Sequence, residues 1–187
     1  MENKNKIVTI FNKKGGVGKT SLALNLAKDL DFFLLSNDDS VIESTYKKAK
    51  VLDQIKLVPN NNIVYDLGGF VDQNITEIIK ASNLIIIPTI ADLNSLKRTL
   101  NLKSELELVN NKIIVVANIL KSEKDFEFIN KIVETKFRIR ESKIFQKSYI
   151  TKKSVTEIYN ESSLNQHIYR NIYKEYEALL NYIKELN

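Results

Sequence analysis

A tight run of glycines ending in Lys-Thr is chemically suited to a polyphosphate. Residues 11–21 read FNKKGGVGKTS. Gly15, Gly16 and Gly18 allow backbone N–H groups to turn toward an anion at points where a Cβ would stand in the way. Lys19 can then reach the β- and γ-phosphates, and the Thr20 hydroxyl is placed for Mg²⁺. The loop expected from this spacing binds ATP through Lys14, Gly15, Gly16, Val17, Gly18, Lys19 and Thr20, with Ser21 adjoining. In the common pattern G-x-x-x-x-G-K-[ST] the first glycine would fall at position 13, where this chain has Lys13 followed by Lys14.

Such a loop works only between a strand and a helix. IVTIF at 7–11 is a short β-branched run, and SLALNLAKDL at 21–30 places apolar residues at 22, 23, 26, 27 and 30, the spacing of an amphipathic helix. A helix starting here directs the positive end of its dipole at the anion. Further strands are expected at 32–35, 63–66, 84–88 and 113–117, with a weak one near 143–146. Helices are expected near 41–50, 93–109, 125–136 and 163–185. Unbroken apolar strands alternating with helices predict an α/β, doubly wound, mostly parallel sheet with helices on both faces, a P-loop NTPase architecture in one domain over 1–187.

Composition narrows the chemistry. The chain has 187 residues and no cysteine, which excludes disulfides, thiolate metal sites and a Cys nucleophile. Its 28 Lys and Arg exceed 23 Asp and Glu, and the formal charge of +5 favours anionic partners. Runs such as LIIIP at 84–88 are too short to span a bilayer, and the charged start MENKNK lacks an apolar leader, so a cytoplasmic location is expected. The single His167 lies on the terminal helix with no recognisable acid–base companion, which favours a structural role.

The sequence KGGVGKT at 14–20 resembles the deviant Walker A motif of the ParA/MinD family of ATPases, with Lys14 as the signature lysine. The preceding Asn12-Lys13 is similar to the N-x-KGG of ParA-type partition proteins, and the resemblance runs in order over residues 7–120. It implies that Lys14 reaches across a two-fold interface to the partner subunit's phosphates, so that ATP binding produces a homodimer. It also implies that Asp39, in FLLSNDDS, assists hydrolysis, although Asn37 stands for the family's first Asp and Asp38 leaves the register open. Asp66, in IVYDLGG, would hold Mg²⁺ through its water shell, Gly68 and Gly69 match a switch-like D-x-G-G, and Asn118 matches a position that contacts adenine.

The same resemblance implies non-specific DNA as a partner, a DNA-bound ParB-like adaptor that stimulates hydrolysis, and a nucleoid-associated location. Candidate DNA contacts are Arg138, Arg140, Lys143, Lys147, Lys152, Lys153 and Arg170, in a stretch with almost no compensating acid between 136 and 153. With no helix-turn-helix segment before residue 7, operator binding is not expected. Two rivals remain open. One is a MinD-like or other cargo-positioning ATPase acting on membrane or protein complexes; yet the charges of residues 168–186 balance, which suits packing on the sheet rather than a bilayer. The other is a metabolic enzyme that activates a carboxylate, for which no substrate pocket is specified.

Overall fold

The computed structural model describes residues 5–38, 40–69 and 73–186. Seven strands form one sheet in the order β3-β2-β4-β1-β5-β6-β7, where β1 is Ile7–Phe11, β2 Phe33–Ser36, β3 Ala49–Val51, β4 Ile63–Leu67, β5 Leu84–Thr89, β6 Ile113–Leu120 and β7 Phe137–Arg140. Every neighbouring pair is parallel. The central strands are buried on both faces, which is why IVTIF, IVYDL and LIIIPT read as apolar runs without alternation.

The helices divide between the faces. On one face α1 (Lys19–Leu30), α2 (Ile42–Thr45), α6 (Lys143–Thr151), α7 (Val155–Asn160) and α8 (Ser163–Lys184) pack on Val8, Ile10, Leu34, Val64, Ile86 and Val116. On the other, α3 (Gln73–Ala81), α4 (Leu93–Glu107) and α5 (Glu123–Asn130) cover Phe11, Tyr65, Leu67, Ile85, Ile87 and Val115. Residues alternate along the central strands between these two cores, as a two-sided sheet requires, whereas the edge strands β3 and β7 contribute only to the first.

The chain leaves β1 through α1 on the first face and leaves β4 through α3 on the second. Both connections start at the carboxyl ends of the central strands. That is where open α/β sheets form a crevice for ligands.

Three local expectations are corrected. The segment 41–50 is not one helix. It is the single turn α2, then Tyr46, whose hydroxyl donates to the Phe32 carbonyl at 2.8 Å, then the edge strand β3. Residues 143–146 are helical rather than extended: Ser142 caps α6 by accepting from Ile144 N, and the strand lies earlier at FRIR, 137–140. The helix expected at 125–136 starts at Glu123, under a capping box between Ser122 and Asp125, and ends at Asn130. Asn130 then accepts from Thr135 N at 3.1 Å and from the Thr135 hydroxyl at 2.6 Å, which turns the chain into β7.

Candidate functional site

The glycine-rich loop adopts the conformation its residues permit. Gly16 and Gly18 sit at φ 78° and 82°, in the left-handed region that L side chains rarely adopt, and Gly18 caps α1. A Cβ on Gly18 would lie 2.5 Å from Asn118 Nδ2, while nothing stands within 4 Å of the corresponding positions on Gly15 and Gly16. The cradle is therefore open on its outer side and closed on the inner one. Its entry is held by Asn12, which is fully buried: its amide donates to the Pro88 carbonyl at 2.8 Å, and its Oδ1 accepts from Lys14 N at 2.8 Å.

Of the two loop lysines, Lys13 pairs with Glu105 of α4 at 2.5 Å. Lys14 is half-exposed, and its ammonium meets no carboxylate among the described residues. Lys19 is buried at the start of α1, with Nζ 3.6 Å from Asp38 Oδ2. Asp39 lies outside the described residues, so the acid seen beside the loop lysine is Asp38.

Asp66, at the end of β4, is fully buried. Ser36 donates to its Oδ2 at 3.0 Å, whereas Oδ1 meets no donor in hydrogen-bond geometry among the described residues. Desolvation pushes the Asp66 carboxyl above the usual carboxylate range. The Thr20 hydroxyl, Ser36 and the charge of Lys19 pull it back, and Asp38 adds to the rise. A buried carboxylate oxygen without a donor, next to a Ser/Thr hydroxyl and a lysine, fits an outer-sphere Mg²⁺ site with Thr20 as the direct ligand.

On the far side of Gly18, a cavity of about 160 Å³ is lined by residues that include Ser21, Asn118, Ile119, Ser142 and Phe145. Asn118 reaches it because β6 breaks register with β7 between Ala117 and Leu120, and Ile119 takes φ 54°. An irregularity of this kind re-aims a strand-end side chain. The Asn118 amide donates to the Val17 carbonyl at 2.8 Å, which ties this cavity to the phosphate loop.

Solved structures share this architecture over their whole length. An ATP complex of McdA from Cyanothece is 16% identical with a TM-score of 0.69, covering 98% of both chains. A ParA family ATPase from Chlorobium tepidum TLS is 17% identical, TM-score 0.66, over 100% of both. The cell division ATPase MinD from Pyrococcus furiosus is 16% identical, TM-score 0.64, over 98% of this chain and 100% of its own. The fold is that of the ParA/MinD ATPases. No protein-family model and no curated protein matches the sequence.

Within this ParA/MinD fold the basic stretch 136–153 is less free than its sequence implies. Arg138 pairs with Glu123 at 2.6 Å and Glu175 at 3.3 Å, Arg140 with Glu175 at 2.6 Å, and Lys147 and Lys153 with Glu161 at 3.7 and 2.6 Å. The compensating acids come from α5, from the end of α7 and from α8. Lys143, Lys152 and Arg170 have no carboxylate partner among the described residues. His167 is exposed on the second turn of α8.

Several residues that shape the site carry no sequence signal of their own. Ser36, Phe145 and Ser142 belong to no recognised spacing and enter through the sheet register and the course of α6. Tyr149 of α6 is another: its phenol is pushed up by burial and then by the charge of Asp66, and drawn down by the Ser21 side chain.

Proposed function

We propose that the chain is a ParA-type ATPase. In this reading it binds ATP with Mg²⁺, dimerises face to face in the ATP state, and then holds DNA without sequence preference until a DNA-bound adaptor stimulates hydrolysis. The observation that carries the nucleotide part is the pairing of the Gly16–Gly18 loop and buried Lys19 with a buried Asp66 whose Oδ1 lacks a donor among the described residues. Neighbours of the same fold support the choice of ligand. MinD of Pyrococcus horikoshii OT3 is a Mg-ADP complex, and a plasmid partition protein of Borrelia burgdorferi B31 is bound to AMPPNP.

The roles follow from position. The loop amides and the α1 dipole hold the phosphates, and Lys19 neutralises the β- and γ-oxygens. Mg²⁺, when bound by Thr20 with Asp66 behind its water shell, supplies charge stabilisation to the transferring phosphoryl group. Asp39 or its neighbour Asp38 orients the attacking water, and the Asn118 cavity takes the base. Lys14, half-exposed on the loop and with no carboxylate partner among the described residues, is available to a second subunit's phosphates.

The deciding experiment measures binding to a non-specific DNA duplex with ADP or a non-hydrolysable ATP analogue, over a salt series. Binding in the triphosphate state alone, weakening steeply with salt, is expected of a phosphate-reading surface. Equal binding in both states, or none, overturns the DNA part. If nucleotide binding persists in that case, a cargo-positioning ATPase of the MinD type takes its place.

A further inference from the structure

The carboxyl ends of β2 and β4 are laced together more tightly than sheet register demands. The last register pair is Ser36 with Asp66, and one further backbone bond runs from Asn37 N to the Asp66 carbonyl at 3.4 Å. Beyond it the strands would part, but the Asn37 side chain supplies the next rung. Its Nδ2 donates to the Gly68 carbonyl at 3.0 Å, and its Oδ1 accepts from Gly68 N at 2.8 Å. A primary carboxamide does here what a peptide unit would do, pairing with both polar groups of one residue.

This rung sits against the phosphate-binding lysine. A Cβ on Gly68 would lie 3.3 Å from Asp38 Oδ2 and 3.7 Å from Lys19 Cε, so the Gly68 Cα abuts the Lys19–Asp38 pair. Asp38 is itself held from below, its backbone N donating to the Ser36 hydroxyl at 3.0 Å, and that hydroxyl donates to Asp66. Three consecutive residues, 36 to 38, thus connect the buried carboxylate, the Gly68 peptide and the loop lysine. Gly69 follows at φ 81°, a backbone state that can change without a side-chain penalty.

A third phosphate arriving at Lys19 competes with the Asp38 carboxylate for the same ammonium. Asp38 lies against Gly68, so displacing its carboxylate uncovers the Gly68 peptide, whose orientation is held by the two Asn37 hydrogen bonds. We propose that Asn37 is a positioning residue that couples occupancy of the γ-phosphate position at Lys19 to the orientation of the Gly68–Gly69 loop. The role needs a carboxamide. A carboxylate at this position would still accept from Gly68 N, but it would set a second acceptor against the Gly68 carbonyl and leave that oxygen without its donor.

This inference rests on the nucleotide reading above, and the test separates the two. Asn37→Asp, which keeps size and shape, and Asn37→Ala are compared with the wild type for affinity toward ADP and a non-hydrolysable ATP analogue, for KM and kcat, and for exchange of the Gly68 amide hydrogen. Both variants are expected to bind ADP as the wild type does, to lose about tenfold in affinity for the triphosphate analogue with a matching rise in KM for ATP, to lower kcat, and to exchange the Gly68 amide faster. A merely structural role would lower Tm and weaken both nucleotides together, which overturns the proposal. So does either variant retaining wild-type triphosphate preference and kcat. A wild type that binds neither nucleotide overturns the nucleotide reading itself, a different result from intact ADP binding with an inert Asn37.

Discussion

Glu175 on α8 holds the Arg140 guanidinium in a two-pronged grip, Nε to Oε2 at 3.1 Å and Nη2 to Oε1 at 2.6 Å, and also accepts from Arg140 N at 3.0 Å. Arg138 approaches the same carboxylate at 3.3 Å and meets Glu123 of α5 at 2.6 Å, so two acids from neighbouring helices balance the two arginines of the edge strand β7. Two arginines on an edge strand would otherwise repel across a short span, and the pairing docks α8 onto the sheet. Glu175→Ala should lower stability by about 1–2 kcal/mol, the value of charge-assisted hydrogen bonds discounted for the solvent exposure of Arg140. In a chain of this size that appears as a Tm lower by about 2–8 °C in a thermal melt. An unchanged Tm would show that the grip does not hold α8 in place.

The same pairing sorts the basic residues by what their removal should do. Lys143, Lys152 and Arg170 have no carboxylate partner among the described residues, so each is free to neutralise a phosphate. On the DNA-binding reading proposed above, replacing them with Ala should reduce the slope of log affinity against log salt for duplex DNA by about one for each phosphate no longer neutralised. Arg138→Ala, which removes a charge already paired within the protein, should leave the slope nearly unchanged and act on Tm. If Arg138→Ala reduces the slope as much as Lys152→Ala does, the paired arginines face DNA after all.

How far the sequence discloses this molecule depends on the range of the forces involved. The β1 loop and the strands β4, β5 and β6 are legible because a parallel strand covered on both faces must be apolar without interruption, and because a left-handed turn into a helix requires glycine. The reading of 143–146 as a strand fails because Ile144-Phe145 looks apolar in any local window, while the deciding feature is the Ser142 cap that starts a helix there. The two-way bond from Asn37 to Gly68 spans 31 residues and that from Arg140 to Glu175 spans 35. The motifs single out Asn37, Gly68 and Arg140, but no local spacing says which residue each one meets. The basic stretch looks unbalanced because its acids all lie outside it: Glu123 and Glu175 meet β7 only once α5 and α8 have packed, and Glu161 folds back on Lys147 and Lys153 from the end of α7.

Asp66 gives a prediction with a definite sign. Its folded-state carboxyl is raised by desolvation, so in the nucleotide-free protein the proton is favoured by folding. The stabilising contribution is present below the ordinary carboxylate value and is lost as pH rises through the raised folded value. Nucleotide-free protein without Mg²⁺ should therefore lose Tm across that interval as pH increases, and Asp66→Asn should remove this slope and melt higher at neutral pH. The same variant should abolish the Mg²⁺-dependence of nucleotide affinity, because a neutral amide no longer attracts the ion's water shell. Asp66→Asn melting below the wild type at neutral pH would show that the carboxylate stabilises the apo fold.

Gly18 tests whether the phosphate loop and the Asn118 cavity, proposed above for the base, are one device. It combines φ 82° with an inner side already filled by Asn118 Nδ2, which stands 2.5 Å from any added Cβ, and Asn118 cannot withdraw without giving up its bond to the Val17 carbonyl. Gly18→Ala thus meets two costs, left-handed backbone strain of about 1–2 kcal/mol and a displaced Asn118. The expected result is loss of stability together with weakened binding of adenosine as well as of ADP, since moving Asn118 disturbs the cavity proposed for the base and not the phosphate loop alone. Asn118→Ala in the same background relieves the collision while leaving the strain. The double variant should then recover Tm relative to Gly18→Ala alone, but not adenosine binding. If the two substitutions are simply additive in Tm, Asn118 does not press on the loop, and the strain at Gly18 accounts for the whole loss.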